Sequence, residues 1–452
     1  MKLRIDIPVQ VRQVMQKLAD AGFSAYIVGG CVRDALRGES PHDWDMTTSA
    51  EPLQTKACFA DYPVIETGLQ HGTVTVVADH MPIEITTYRI DGDYSDNRRP
   101  DSVTFTKNLR DDLSRRDFTV NAMAYHPDEG LIDLFGGQTD LQEKRIACVG
   151  NAAARFDEDG LRILRALRFA SVLDFSIAPE TADAIHAQKD LLRGISAERI
   201  FAELSKLLCG SGAVRILREY ADVLFVIMPE LQPMHHFEQH NIHHCYDVYE
   251  HTLHVLENVP PTPMLRFAAL LHDSGKPAAF FTDERGGHFH GHAEISTEIA
   301  KTVLTRLKSD RKTFDTVCRL VEHHDVVFQF DCFERQLKRW VNRIGFEETR
   351  MLILLHLGDV SAQSELDRAQ RVAESHEMLA ILDRLEQSDA CLSLKKLALS
   401  GDDLLAMGIP QGKAIGAALQ SLLEQVMDGS LPNERDALLD ALHNRNAQGT
   451  GE

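Results

Sequence analysis

Strand-forming segments are confined to the first third of this 452-residue chain, and that asymmetry restricts the folds open to it. Within this part, SAYIVGG is typical of a buried strand that ends in a glycine turn, and VTVVADHMPIEITTYR predicts a hairpin. Beyond about residue 150, helical segments follow one another between short Gly, Pro or Asp breaks. We therefore expect an α+β head, built on a small mixed sheet with helices, followed by an all-helical neck, body and tail.

The length of the chain is enough for two to four domains. The change from strands to helices and the later helical breaks suggest where these domains meet. We expect four regions, which are a head (1–150), a neck (151–225), a body (226–370) and a tail (371–452).

Composition excludes several classes of protein. Hydrophobic residues make up 44% and charged residues 26% of the chain, which are ordinary globular values and argue against disorder. The N-terminus has no signal-peptide pattern and no stretch approaches 18 apolar residues, so we expect no membrane partner and a cytoplasmic location. The eight cysteines are scattered without a CxxC pair, as in reduced proteins. A net charge of −20 excludes a uniformly basic surface but allows a local basic groove.

The sharpest local pattern is GGCVRD at 29–34, followed by Asp43-Trp44-Asp45. Residues two apart on a strand point to the same face, so Asp43 and Asp45 would present their carboxylates together. Two such carboxylates repel each other unless a cation lies between them, and hard oxygen ligands suit Mg²⁺. The glycines allow close approach to a phosphate, and Arg33 adds a cation in the first turn of the next helix. A DxD pattern alone is more often a turn at the end of a strand with solvated aspartates.

Several motifs in a fixed order identify the family. The GGxVRD and DxD patterns, the hairpin and RRDFTVNAMA at 115–124 resemble the nucleotidyltransferase superfamily. More narrowly, they resemble the bacterial-type (class II) CCA-adding tRNA nucleotidyltransferases and the related poly(A) polymerases. The resemblance continues through EDGLR at 158–162 and covers about the first 220 residues, and GDDLLAMGIPQGKAIG in the tail is also similar. It implies transfer of CMP and AMP from CTP and ATP to the acceptor end of tRNA.

The resemblance also implies roles for individual residues. Asp43 and Asp45 would hold catalytic Mg²⁺, and Glu84 is either a third carboxylate or a solvated strand residue. The residues implied in nucleotide binding are Gly30, Arg33, Arg115, Arg116, Asp117, Asn121, Asp159, Arg162, Arg165 and Arg168.

Two pairs among these residues are expected to read parts of the nucleotide. Asp117 and Asn121 would lie one helical turn apart near the ribose, and Asp159 and Arg162 would share one face of a helix over 155–169. Cytosine and adenine each offer an exocyclic amine beside a ring nitrogen, which a carboxylate and a guanidinium can recognise.

The segment TTYRIDGDYSDNRRPDSVTF at 86–105 resembles the loop that accompanies terminal A addition. It favours CCA addition or A-only addition over CC addition. A poly(A) polymerase is the alternative, although the acidic tail argues against it.

The helical body contains histidines and aspartates in an order that resembles the HD phosphohydrolase domain. His251, His272, Asp273 and Asp359 would hold a first divalent transition metal, and His292, His323 and His324 could add a second. The rival interpretation of the whole chain is a metal-dependent phosphohydrolase that acts on nucleotides or RNA ends. A third possibility is an RNA-end binding protein without catalysis. The sequence leaves the oligomeric state open.

Overall fold

The computed structural model describes residues 4–92, 102–240, 245–284, 286–326, 328, 332–388 and 390–448. The chain forms two compact units, which are Met1–Gln232 with Arg306–Ser309, and Pro233–Thr305 with Asp310–Glu452. Residues 93–101 of the segment that suggested terminal A addition lie outside the described residues.

The described residues of the first unit contain eleven strands. They are β1 Ala25–Val28, β2 Trp44–Thr48, β3 Val64–Ile65, β4 Thr73–Ala78, β5 Met81–Thr87, β6 Arg89–Asp91, β7 Val103–Phe105, β8 Met123–His126, β9 Gly130–Asp133, β10 Arg145–Ile146 and β11 Ser176–Ile177. Seven of them form one sheet in the order β3-β4-β5-β2-β1-β8-β9. Its β2–β5 pair is parallel and its other pairs are antiparallel, so the sheet is mixed as predicted.

Helices cover the sheet of the first unit and then continue alone. They are α1 Val9–Asp20, α2 Gly30–Leu36, α3 Pro52–Cys58, α4 Leu109–Ser114, α5 Gly137–Gln142, α6 Ala152–Glu158, α7 Leu161–Leu173, α8 Pro179–Gln188, α9 Ala197–Leu208, α10 Ala213–Glu219 and α11 Ala221–Ile227. Apolar side chains alternate with partly exposed ones along β4, and the buried set packs on α1 around Leu18 and Ile27. This packing fixes the position of β2, which carries Asp45.

The helix expected over 155–169 is interrupted, and this part of the prediction was wrong. Asp159 has extended backbone angles between α6 and α7, and its Oδ1 accepts a hydrogen bond from the N–H of Leu161 at 3.0 Å. Gly160 follows, and a Cβ there would lie 3.0 Å from Cβ of Leu191. A short acidic cap and a glycine in close contact therefore start a second helix, so Asp159 and Arg162 do not share a helical face.

The second unit is mainly helical. Its helices are α12 Val248–Asn258, α13 Pro263–Leu271, α14 Lys276–Ala279, α15 His292–Arg306, α16 Arg311–His323, α17 Phe333–Ser361, α18 Arg368–Gln387, α19 Gly401–Ala406, α20 Lys413–Met427 and α21 Arg435–Gln448. The α17 helix is broken at Gly345, where φ is +82°. A small hairpin, β12 Phe281–Asp283 with β13 Gly286–His288, departs from the all-helical expectation because strands of three residues give no periodic signal.

The architecture of an α+β head with a helical remainder is confirmed. Among the described residues, no helix has the length and apolar character needed to cross a membrane.

Candidate active site

Three carboxylates meet at the parallel edge between β2 and β5. Asp45 and Glu84 are direct partners in the parallel ladder, and the exposed Asp43 immediately precedes β2. Burial raises the pKa of Asp45, and the charges of Glu84 and Asp43 raise it further, whereas Arg116 lowers it. Glu84 is exposed, but its place beside Asp45 is compatible with a third carboxylate at this site. Crowded acidic oxygens of this kind fit a hard divalent cation, which would remove their mutual repulsion.

The carboxylates Asp45 and Glu84 line a cavity whose other charged walls are arginines. The full lining consists of Val28, Asp45, Met46, Thr73, Glu84, Thr86, Arg89, Arg115 and Arg116. Gly29 has φ +82°, and a Cβ at this position would lie only 3.2 Å from Nη1 of Arg116. The first glycine of the GG pair is therefore needed both for its backbone angle and for the space that Arg116 occupies.

A hydrogen-bonded chain joins α2 to α7 beside this cavity. Arg33, in the turn that Gly30 begins, donates through Nη1 to Oδ1 of Asn121 at 2.8 Å, and Nδ2 of Asn121 donates to Oδ1 of Asp117 at 3.3 Å. Arg165 completes the chain, donating to Oδ2 of Asp117 from Nη2 at 2.6 Å and from Nε at 3.0 Å. Burial alone would raise the pKa of Asp117, but Arg165 lowers it to about 2.

The same chain corrects the local backbone expected for Asp117 and Asn121. They were expected on one turn of a helix, but Asp117 follows the end of α4 and Asn121 closes a short 3₁₀ turn. The two side chains nevertheless meet, because the tight turn brings them together.

The two residues expected to read the base have other partners here. The guanidinium of Arg162 donates to the carboxylate of Glu158, to the carbonyl oxygen of Arg155 at 3.0 Å and to that of Arg115 at 3.2 Å. Oδ2 of Asp159 accepts Nη2 of Arg199 at 2.6 Å. Both side chains are therefore held in place by neighbours and are available for a base only through their remaining donor and acceptor positions.

Sequence reasoning missed Arg199, Glu203 and Phe169. Arg199 and Glu203 lie on α9, and Oε2 of Glu203 is 2.8 Å from Nε of Arg168 while its Oε1 is 3.6 Å from Arg165. The ring of Phe169 lies under three guanidinium groups, with its centroid 3.7 Å from Arg168, 5.3 Å from Arg33 and 5.4 Å from Arg165. The contacts of Arg199 and Glu203 depend on the packing of α9 against α7, and the contact of Phe169 with Arg33 joins α7 to α2. The sequence has no local signal for either.

The second unit brings the histidines and aspartates of the body together. Two groups of possible metal ligands lie among the described residues, and they share Asp273. The first group is His251, His272 and Asp273, and the second is Asp273, His292 and His324. Asp359 joins the first group through a contact of 2.9 Å between its Oδ1 and Nε2 of His251. His323 does not join the second group, because its ring packs against Trp340 at 4.9 Å.

The ring orientations of these histidines suit metal binding. Nδ1 of His272, His292 and His324 lies 2.7–2.9 Å from the carbonyl oxygen three residues earlier in each case. If each Nδ1–H donates there, each Nε2 carries a lone pair. The Nε2 atoms of His292 and His324 are then two acceptors only 3.0 Å apart, an arrangement that requires a cation or a proton between them.

The buried aspartates are charged. Burial would raise the pKa of Asp273, but His272 and Lys276 hold it well below its usual range, and His251 does the same for Asp359. Nε2 of His272 is buried without a hydrogen bond in the described part of the chain, although Oδ2 of Asp273 is 3.1 Å away. These two atoms belong to one of the groups that could hold a metal ion.

The fold and the carboxylate site define a nucleotidyltransferase. The family model for the poly A polymerase head domain matches residues 25–147, and that for the probable RNA and SrmB-binding site of polymerase A matches residues 174–234. A third model, for a putative tRNA nucleotidyltransferase domain 2, matches residues 288–442.

Individual relatives narrow this class. The CCA-adding enzyme of Levilactobacillus brevis is 34% identical over 95% of this chain and 96% of its own. That of Lactococcus lactis subsp. cremoris is 52% identical, but over only 45% of this chain and 51% of its own. The crystal structure of the Bacillus stearothermophilus CCA-adding enzyme in complex with CTP is 28% identical and covers 98% of both chains with a TM-score of 0.73. The chain therefore belongs to the family of CCA-adding enzymes.

A Thermotoga maritima CCA-adding enzyme complexed with tRNA shares the fold, with a TM-score of 0.58 over 97% of this chain at 22% identity.

Proposed function

We propose that the chain completes the 3′ end of tRNA by adding CMP and AMP from CTP and ATP, without a nucleic-acid template and with release of pyrophosphate. The observation that carries this proposal is the group of Asp45, Glu84 and Asp43 beside an arginine-lined cavity, in a chain that matches a CCA-adding enzyme over nearly its whole length. The residues that carry out the reaction lie in the head (1–150) and the neck (151–225). The acceptor end of tRNA is the partner.

The residues of the chain divide the work of the reaction. Mg²⁺ held by Asp43 and Asp45 would lower the pKa of the primer 3′-hydroxyl and neutralise charge on the triphosphate. Arg115 and Arg116 receive the triphosphate, and Asp117 and Asn121 face the ribose. The primer oxygen forms a bond to the α-phosphorus while the bond to the pyrophosphate oxygen breaks. Positioning and electrostatics carry most of the catalysis in such a reaction.

Asp159 and Arg162 recognise the base. A carboxylate oxygen of Asp159 accepts the exocyclic amine of cytosine or adenine, and Arg162 donates to the ring nitrogen beside it. Uracil and guanine present the opposite polarity at these positions, so one site accepts both correct nucleotides. The contacts of Asp159 with Arg199 and of Arg162 with Glu158 support this proposal, because they fix the two side chains before a nucleotide arrives.

Extension of three end-labelled tRNA transcripts tests the proposal. The transcripts end before CCA, after C and after CC, and each is incubated with CTP, ATP or both. We expect all three to be completed with a single terminal A. Extension of the CC-ended transcript alone would indicate an A-only enzyme, and a ladder of A residues would indicate a poly(A) polymerase; either result contradicts the proposal.

A second activity, metal-dependent phosphohydrolysis in the body (226–370), is favoured by the shared aspartate of the two histidine groups. We propose that His251, His272, Asp273 and Asp359 hold one divalent transition metal, and that His292 and His324 with Asp273 hold another. A metal ion there would supply a Lewis acid and an activated water for attack on a phosphate ester.

The metal content of the full chain tests this second proposal without relying on activity. We expect equilibrium dialysis against Co²⁺ to give two ions per chain, and His324→Ala to lose one of them. His323→Ala is the matched control. His323 is the neighbour of His324 in sequence, but its ring packs against Trp340, so the variant should still bind both ions. Less than one bound ion per wild-type chain would refute the proposal. The tail (371–452) is not expected to contribute ligands to either metal.

A further inference from the structure

Asp112, in α4, is a carboxylate with no exposed surface that nothing in the proposed reaction uses. Its Oδ1 accepts Nε and Nη2 of Arg115 at 2.9 and 2.8 Å. Its Oδ2 accepts the hydroxyl of Thr47 at 3.0 Å and lies 3.5 Å from Nη2 of Arg116. Burial would raise the pKa of Asp112, but Arg115 and Arg116 lower it, so the group is charged.

This one side chain is connected to three parts of the candidate active site. Both of its arginines line the cavity, whereas Asp112 itself does not. Thr47 follows the metal-site residue Asp45 by two positions on β2, and the backbone oxygen of Arg115 accepts Nη2 of Arg162 at 3.2 Å. The carboxylate strand, the phosphate-binding arginines and a base-reading arginine therefore all depend on groups that contact Asp112.

The arginines need an anion between them. Arg115 and Arg116 are adjacent in sequence, their side chains are only 17% and 19% exposed, and like charges repel strongly where water is largely excluded. Nε of Arg116 is buried and has no hydrogen-bond partner in the part of the chain that the structure describes. Arg116 lines the cavity, and because this donor has no partner among the described residues, the orientation of its side chain must be maintained by other contacts.

We propose that Asp112 is a positioning residue for nucleotide binding, which holds Arg115 and Arg116 in the arrangement that receives the triphosphate. This inference rests on the proposed nucleotidyl transfer. Donors that are already oriented bind charge more strongly than donors that must be ordered on binding. Asp112 acts by its charge and not by contact with the substrate, so the isosteric Asp112→Asn substitution removes its effect while preserving its volume.

Calorimetric binding of inorganic tripolyphosphate to the full chain tests the inference directly. Because tripolyphosphate has no base or ribose, it reports on the phosphate-binding groups and not on the residues that face the base or the ribose. We expect Asp112→Asn to weaken its binding about tenfold or more, since small displacements of binding groups have effects of this order. The KM for CTP should rise by a similar factor. Arg116→Ala gives the loss expected when one of the arginines is removed.

Glu348→Gln is the matched control. The carboxylate of Glu348 also accepts hydrogen bonds from the hydroxyl of Thr316 at 3.0 Å and from the guanidinium of Arg319 at 2.6 and 2.7 Å, but it lies in the second unit. Loss of its charge should leave tripolyphosphate binding unchanged. A folded Asp112→Asn variant that binds tripolyphosphate within twofold of the wild type overturns the inference.

A second variant covers the case in which Asp112→Asn does not fold. Thr47→Val removes a hydroxyl that lies 3.0 Å from Oδ2 of Asp112 and 3.1 Å from the carbonyl oxygen of Thr86, and it leaves the charge of Asp112 and its contact with Arg115 in place. We expect about threefold weaker tripolyphosphate binding, as for the loss of one hydrogen bond, and unchanged binding overturns the inference. Failure of the proposed function is a separate result, because a wild-type chain that does not extend tRNA would still be scored for tripolyphosphate binding.

Discussion

The ring of Phe169 should contribute to stability well beyond its apolar area. Phe169 is 6% exposed, and three arginines of the candidate nucleotide site lie over it. A cation over an aromatic face stabilises by about 0.5–1 kcal/mol when exposed and about 2 kcal/mol when desolvated. The guanidinium of Arg168 is 3.7 Å from the ring centroid and its side chain is 13% exposed, so its contribution should be near the upper value. The two more distant arginines should each contribute near the lower value. We expect roughly 2 kcal/mol in total, allowing for non-additivity.

Phe169→Leu removes this contribution together with the edge-to-face contact with Phe118, whose ring centroid is 5.7 Å away. The aromatic pair adds about 0.5–1.5 kcal/mol. Phe175→Leu is the matched control, because Phe175 is also buried, at 3% exposed, but has Arg37 only at 5.8 Å. Both substitutions leave a similar void, which costs about 1 kcal/mol. Phe169→Leu should therefore be less stable than Phe175→Leu by roughly 2–3 kcal/mol.

The two tryptophans allow the assay to follow one unit at a time. Trp44 lies in the first unit and Trp340 in the second. In a Trp340→Phe background, the fluorescence of Trp44 follows urea unfolding of the first unit only. A difference below about 0.5 kcal/mol between the two leucine variants would refute the reasoning, since it would leave no contribution from the cations. The KM for CTP should also rise in Phe169→Leu, because the ring supports the nucleotide-binding arginines.

Three further predictions follow from the same structure. Asp117→Asn should destabilise the first unit at pH 7 by about 2 kcal/mol, as its pKa of about 2 implies, and the difference from the wild type should shrink as the pH falls from about 4 towards 2. Arg199→Ala should raise the KM for CTP and ATP about tenfold, because Asp159 loses its orienting partner. In a Trp44→Phe background, the fluorescence of Trp340 reports the unfolding of the second unit. Co²⁺ at 100 times its Kd should raise the free energy of unfolding of that unit by about 2.7 kcal/mol.

Each of these predictions has a result that contradicts it. The pKa of Asp117 is lower in the folded than in the unfolded state, so the carboxylate stabilises the fold at a pH above its unfolded pKa. A difference in the free energy of unfolding between Asp117→Asn and the wild type that grows towards acid pH would contradict the account. A KM for CTP within twofold of the wild type in Arg199→Ala would show that Asp159 needs no orienting partner. An unfolding midpoint of the second unit that Co²⁺ leaves unchanged would contradict the metal site.

Features that depend on neighbouring residues could be predicted from the sequence. The strand before Gly29 and the turn into α2 follow from an apolar run, a glycine pair and a short helix, and all of them are found. The hairpin of β4 and β5 follows from two β-branched runs around a polar turn. In these cases the physical determinants lie within a few residues of one another.

Features that depend on packing between distant segments could not be derived in the same way. The pairing of Asp45 with Glu84 requires the register of a parallel ladder, which no local pattern specifies. The contact of Arg199 with Asp159 spans 40 residues and arises from the packing of α9 on α7. One local error, a continuous helix through Asp159, arose because periodicity was given more weight than the Asp-Gly pair, which is a signal for a helix break.

The histidine groups of the body show an intermediate case. The order of His251, His272, Asp273 and Asp359 indicated the first group, although His251 and Asp359 are 108 residues apart. Choosing between His323 and His324 required the structure, since adjacent residues on a helix point in different directions and only His324 faces Asp273.

The central claim is that the carboxylates of the head carry nucleotidyl transfer. It is tested most directly by substituting each of the two sites separately and measuring both CCA addition and Co²⁺ binding in every variant. Asp45→Asn should abolish CCA addition to the transcript ending before CCA and leave Co²⁺ binding intact. The His272→Ala, Asp273→Ala double variant should lose Co²⁺ and still complete the transcript with one terminal A. Transcript completion by Asp45→Asn at the wild-type rate, or its loss in a folded double variant, would contradict the account.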